Sequence, residues 1–194
     1  MKTKKNGTVR LAGPLMAAVL TMGAGCGSES DKPKSGQANS SAASQKESAL
    51  PADLFLDQKP EEKPASVSEI KKSAKEGDSV VMKVVVGGRE KPFVSNRAIM
   101  TVVSADLENQ CTEPGDSCKT PWDYCCAAPK ALKENMATVQ FVDGDGKPLK
   151  IDLDSVKKIK PLSVLTVVGK VGPRPDPEAL VVTASGLYLE PQKQ

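Results

Sequence analysis

Two stretches of this chain, VVMKVVV at residues 80–86 and VLTVVGKV at 164–171, are apolar on both phases of a strand's alternation. A half-exposed strand needs only one apolar phase, so these runs fit strands that curl around a closed interior. They belong to strands expected at 79–86 and 163–171. Four more runs of β-branched residues, bounded by Gly, Pro, Asn and Asp, read as strands at 96–104, 137–142, 149–153 and 180–189. The expected fold is mostly β.

These strands lie in one block, residues 66–190, long enough for a single core and too short for two. The block opens with SVSEIKKSAKEGD, in which Ser66 and Glu69 have capping-box spacing. Val67, Ile70 and Ala74 share a helical face, and Gly77 ends the run. DGDGK at 143–147 is expected to turn a hairpin, DSVKKIK to form a short helix, and GPRPDPE to form a Pro-rich loop before the last strand. An EF-hand reading of Asp143 and Asp145 fails on the residues: Lys147 stands where a third oxygen ligand belongs, and Asp154 takes the place of the closing glutamate.

The order of these elements resembles an OB-fold, the small five-stranded Greek-key barrel. The closing PLSVLTVVGKVGPRPDPEALVVTASGLYLE and the opening EIKKSAKEGDSVVMKVVVGG carry the likeness. It implies a five- to six-stranded barrel and no particular activity.

Before the block, MKTKKNGTVRLAGPLMAAVLTMGAGC runs from a basic start through a short apolar core to small residues and Cys26, the layout of a secretory signal. A membrane-spanning helix needs roughly 20 apolar residues, more than this core supplies. The Gly23-Ala24-Gly25-Cys26 end resembles a bacterial lipobox, which implies cleavage after residue 25 and lipid on Cys26. It departs from the commonest form at Gly23, so ordinary cleavage after a small residue is the alternative. Gly27, where Asp would signal inner-membrane retention, points to the outer membrane. The chain has 194 residues and a net charge of +3. Removing four basic and no acidic residues leaves −1, so the basicity argues for no acidic partner. Residues 26–65 are mostly Ser, Ala, Gly, Gln, Lys, Pro and Glu and read as a disordered tether. Its apolar island, Leu54-Phe55-Leu56, is expected to make only a minor contact. Residues 191–194 are a tail.

Residues 105–136 form a long insertion that holds Cys111, Cys118, Cys125 and Cys126. In an exported chain such a set is first read as disulfides, with three connectivities open. A turn at Pro114-Gly115 would face Cys111 toward Cys118 and leave a strained vicinal pair. TPWD, with Thr120 as N-cap and Pro121 at the first helical position, predicts a helix through about residue 128. On it Cys125 and Cys126 point about 100° apart. The expected arrangement is therefore crossed, each serving one of Cys111 and Cys118, with Trp122 and Tyr124 as apolar filling. A metal site is the alternative: C-x6-C-x6-C-C lacks the knuckles that preset zinc, and soft thiolates would also accept Cu(I). A thiol redox role rests on Cys118 standing just before the expected helix start.

The chain contains no histidine, so it has neither a Ser-His nor a Cys-His couple of its own, and no phosphate loop or paired-carboxylate site is recognisable. Nucleic acid would need stacking aromatics and a basic groove. The relevant strands offer only Phe93 and Phe141, expected in the core or at its rim. The pattern as a whole resembles bacterial lipoproteins that join an OB-like domain to a TPWDYCC insertion. That resemblance implies processing and fold and supplies no activity. The expectation is a non-enzymatic, lipid-anchored envelope protein without cofactor. Its membrane contact is the N-terminal lipid, and its partner is an envelope protein or glycan. A metal-binding or thiol redox module using the four cysteines is the alternative, and a glycan-binding domain a third reading.

Overall fold

The computed structural model describes residues 50–115, 117–156 and 158–191. The signal-like segment and Cys26 lie outside them. Five strands close into a barrel: β1 (Ser79–Val86), β2 (Ile99–Ser104), β3 (Met136–Gln140), β4 (Val164–Val171) and β5 (Val181–Leu189). Their order around the barrel is β1-β2-β3-β5-β4, and β1 pairs with β4 to close it. All neighbours are antiparallel except β3 and β5, which run parallel from Thr138↔Val181 to Gln140↔Thr183. This is the OB-like, mostly β barrel read from the sequence.

Met82, Val84 and Val86 of β1, Met100 and Val102 of β2, Val139 of β3, Leu165 and Val167 of β4, and Val182 and Leu187 of β5 are buried in one core, with Phe141 at its end. Phe93 packs partly buried against that core, as expected of a rim residue. Between Val168 and Gly169 of β4 the register with β5 shifts from Gly186 to Ala184, leaving Ser185 as a bulge on β5. An added Cβ at Gly169 would stand 2.4 Å from the Thr183 carbonyl oxygen, so the crossing strand requires glycine there.

The expected strand at 149–153 is absent. The chain leaves β3 through a turn in which Asp143 Oδ1 accepts from the Asp145 and Lys147 amides. It then makes a single bridge, Val142↔Pro148. Pro148 has no N–H to extend a ladder, and Ile151 turns into the core from irregular backbone while Leu153 enters it from the start of a 3₁₀ turn. The short helix expected over DSVKKIK is a 3₁₀ turn at Leu153–Ser155.

The helix α1 (Val67–Ser73) carries the expected capping box, with both the Ser66 and Glu69 arms formed, and buries Val67 and Ile70. Gly77 follows with φ +87°. The carbonyls at the end of α1 are bound by Arg174 of the Pro-rich loop, which donates to Ala74 O, Lys71 O and Pro177 O.

The island Leu54-Phe55-Leu56, expected to make only a minor contact, docks on the barrel together with residues on either side of it. Leu50 is buried, Phe55 bridges to Leu187, and Leu56 N donates to Leu187 O. Ala65 bridges to Met82. Lys59 pairs with Glu190, and Lys158 lies over the Phe55 ring.

Candidate functional site: a four-thiol cluster seated on the barrel

The insertion leaves β2 at Ser104 and returns at β3. Its first brace is Asn109, whose Oδ1 accepts from the Cys111 amide and whose Nδ2 donates to Pro121 O. These bonds hold a 3₁₀ turn, Gln110–Thr112, against a second one, Pro121–Asp123. Gly115, at φ +95°, supplies the turn between Cys111 and Cys118.

The helix expected from Thr120 through about residue 128 does not form. Thr120 Oγ1 donates to Asp123 Oδ2 while Asp123 Oδ1 accepts from the Cys125 amide. Both carboxylate oxygens thus serve a tight local turn. Tyr124 then enters the left-handed region at φ 60°, ψ 34° and ends the 3₁₀ turn. A second helix, α2 (Pro129–Asn135), begins at the residue expected to stop the first. Pro129 occupies its first position, where the missing N–H is harmless. With no helix after Thr120, no helix dipole acts on Cys118.

The reversal at Tyr124 swings the adjacent cysteines back onto Cys111 and Cys118. Cys125 Sγ lies 3.4 Å from Cys111 Sγ, 3.3 Å from Cys118 Sγ and 3.8 Å from Cys126 Sγ. The Cys126 amide donates to Cys111 Sγ at 3.4 Å. These are contacts between thiols; a disulfide would measure about 2.05 Å. Such proximity is compatible with disulfide pairing on oxidation. In place of two separate pairs, however, the structure brings the four sulfurs together around Cys125. The ligand atoms of Cys111, Cys118, Cys125 and Asp123 all lie within 4.8 Å of one another.

The cluster has a closed and an open side. Cys111 is buried, Cys118 half-buried, and Cys125 and Cys126 exposed. Burial opposes ionisation of Cys111. The thiol and amide of Cys126 and the thiols of Cys125 and Cys118 more than offset it and hold its pKa below the ordinary thiol value. Hydrogen bonding to Cys118 and Cys111 pushes Cys125 the other way. Thr120 above all keeps Asp123 below the usual carboxylate range.

Beneath the cluster the insertion sits on the β1–β2 connection. Gly88 N donates to Trp122 O at 2.7 Å, and Trp122 Nε1 donates to Glu90 O at 2.9 Å. Tyr124, only 2% exposed, approaches Gly87, where an added Cβ would come within 2.3 Å of the Trp122 carbonyl oxygen. Of the two aromatic residues expected as filling, Tyr124 is buried. Trp122 is half-buried and works through its backbone and indole N–H. Sequence reasoning named the four cysteines and both aromatic residues but missed Asn109, the Asp123 turn and the Gly87-Gly88 seat. The adjacent glycines after a strand were the one available sign of close backbone approach.

Among the described residues no helix is long and apolar enough to cross a membrane. Comparison with protein-family models, curated proteins and solved structures gives no match for this chain.

Proposed function

We propose that this chain is a lipid-anchored envelope protein, non-enzymatic, whose barrel presents the cysteine insertion to another envelope component. The supporting observation is the seat. Gly88 N donates to Trp122 O, Glu90 O accepts from the Trp122 indole, and Gly87 leaves room for the close approach, so the seat fixes the insertion where its outer face is offered. A rigid loop on a closed barrel pays little ordering entropy when a partner arrives. The lipid on Cys26, implied by the lipobox resemblance, would confine that encounter to a membrane surface.

Both halves have a direct test. Cys26→Ser is expected to release the protein from the membrane fraction, and globomycin to make the precursor accumulate; retention of the variant and normal processing under globomycin would remove the anchor. A photo-reactive residue in place of exposed Lys119 is expected to crosslink one envelope component in intact cells, and Gly87→Ala to abolish that adduct. Absence of an adduct, or one indifferent to Gly87→Ala, would remove the presentation role.

A further inference from the structure

We propose that Cys111, Cys118, Cys125 and Cys126 together form a thiolate site for one soft, closed-shell metal ion, Cu(I) or Zn(II). This goes beyond the presenting role and does not depend on the lipid anchor. The first argument is spacing. Four sulfurs around a metal with bonds of about 2.3 Å stand about 3.8 Å apart. Cys125 Sγ lies 3.3, 3.4 and 3.8 Å from the sulfurs of Cys118, Cys111 and Cys126, and the sulfurs of Cys111, Cys118 and Cys125 all stand within 4.8 Å of one another, so small outward shifts of these three admit the ion and Cys126 closes in as the fourth ligand.

The second argument is what else is near. Asp123 is the only carboxylate grouped with the sulfurs of Cys111, Cys118 and Cys125 among the described residues. Its two oxygens are already bound to the Cys125 amide and the Thr120 hydroxyl. It therefore positions Cys125 rather than ligating, and the donor set is sulfur alone, which favours soft ions over Mg²⁺ or Ca²⁺. The Cys126 amide on Cys111 Sγ supplies the N–H···S bond that a buried thiolate needs. Exposed Cys125 and Cys126 give the ion a way in, while buried Cys111 closes the back.

Binding is ligand exchange with no electron transfer. Each coordinating S–H gives its proton to solvent as an S–metal bond forms. A four-coordinate Zn(II) releases four protons and a three-coordinate Cu(I) three, and the ion's oxidation state is unchanged.

The test uses the full chain with Cys26→Ser, leaving only these four cysteines, reduced with a phosphine under anaerobic conditions. It is titrated with Cu(I) held in acetonitrile and, separately, with Zn(II). Native mass spectrometry is expected to show one ion per chain for at least one of the two metals, with the mass of three or four protons lost. X-ray absorption is expected to show a sulfur-only shell at about 2.3 Å. Cys118→Ser and Cys126→Ser are each expected to weaken binding at least tenfold. Cys126, exposed, can be replaced without disturbing the core, and circular dichroism checks that both variants fold. Four thiols that remain fully alkylatable with one equivalent of Cu(I) and likewise with one of Zn(II) would overturn the proposal. So would oxygen or nitrogen ligands in the metal shell, or protein isolated from the envelope with two disulfides and no metal. Loss of the Lys119 adduct bears on the presenting role alone, so the two readings fail separately.

Discussion

Replacing Gly87 by alanine puts a methyl carbon 2.3 Å from the Trp122 carbonyl oxygen and 3.3 Å from its carbonyl carbon. Both are backbone atoms, so no side-chain rotation relieves the clash, and the insertion must withdraw by about an ångström to reach ordinary contact distance. That movement breaks the 2.7 Å bond from Gly88 N to Trp122 O and the 2.9 Å bond from Trp122 Nε1 to Glu90 O, each contributing about 1 kcal/mol net. It also lifts Tyr124 from its contact with Gly87; losing part of an aromatic burial adds about 1–2 kcal/mol. The expected cost is about 3–4 kcal/mol. Denaturant unfolding of the Cys26→Ser protein measures it. Trp122 is the sole tryptophan, so its fluorescence reports the seat directly and should shift to the red in the folded variant. Gly144→Ala is the control, since nothing lies within 4 Å of its Cβ position, and it should change stability by less than about 0.5 kcal/mol. A Gly87→Ala protein as stable as that control, with unchanged emission, would refute the docking argument.

Three further outcomes are expected. Arg174→Ala should cost about 2–3 kcal/mol, because one guanidinium satisfies the carbonyls of Lys71, Ala74 and Pro177. Faster amide exchange at the end of α1 would be its local signature, and unchanged exchange would count against it. Ser66→Ala should cost about 1 kcal/mol by removing one arm of the capping box, read as a lower denaturation midpoint with an unchanged slope. Burial opposes ionisation of Glu190, but Lys59 and Thr166 more than offset it and hold its pKa below the ordinary glutamate value. The unfolded chain therefore binds this proton more readily. The stabilisation is present above the unfolded pKa and lost as pH falls through the folded one. Glu190→Gln should flatten the acid limb of a stability–pH curve, and superimposable limbs would contradict that assignment.

Barrel and cysteines were legible in the sequence for different reasons. Runs such as VVMKVVV have a local cause, β-branched residues between breakers, and β1 spans the expected residues, Ser79–Val86. The expected strand at 149–153 had the same local chemistry, but a proline at its start and two side chains drawn into the core overrode it. Pro129 shows the ambiguity of a proline signal: the residue that ends one pattern can begin the next. The TPWD helix failed because the Asp123 carboxylate, read as an N-terminal helix residue, instead bonds both neighbours in a tight turn. Convergence of the thiols depended on that failure. It turns on one left-handed residue, Tyr124, a tyrosine where composition gives no warning of a positive φ.

The pairing of β1 with β4 also sets the order of events during folding. Ser79 meets Lys170 and Val85 meets Val164, so the barrel cannot close until nearly the whole domain has been synthesised. Barrels dominated by such distant pairings fold in milliseconds to seconds. The insertion is tied within itself by Asn109 and the turn at Gly115, and short loops of that kind close far faster. The local turns of the insertion therefore form before β1 and β4 meet to close the barrel. An oxidant present during that interval meets the thiols before the barrel has closed, so oxidation before closure and oxidation after it act on different arrangements of the cluster.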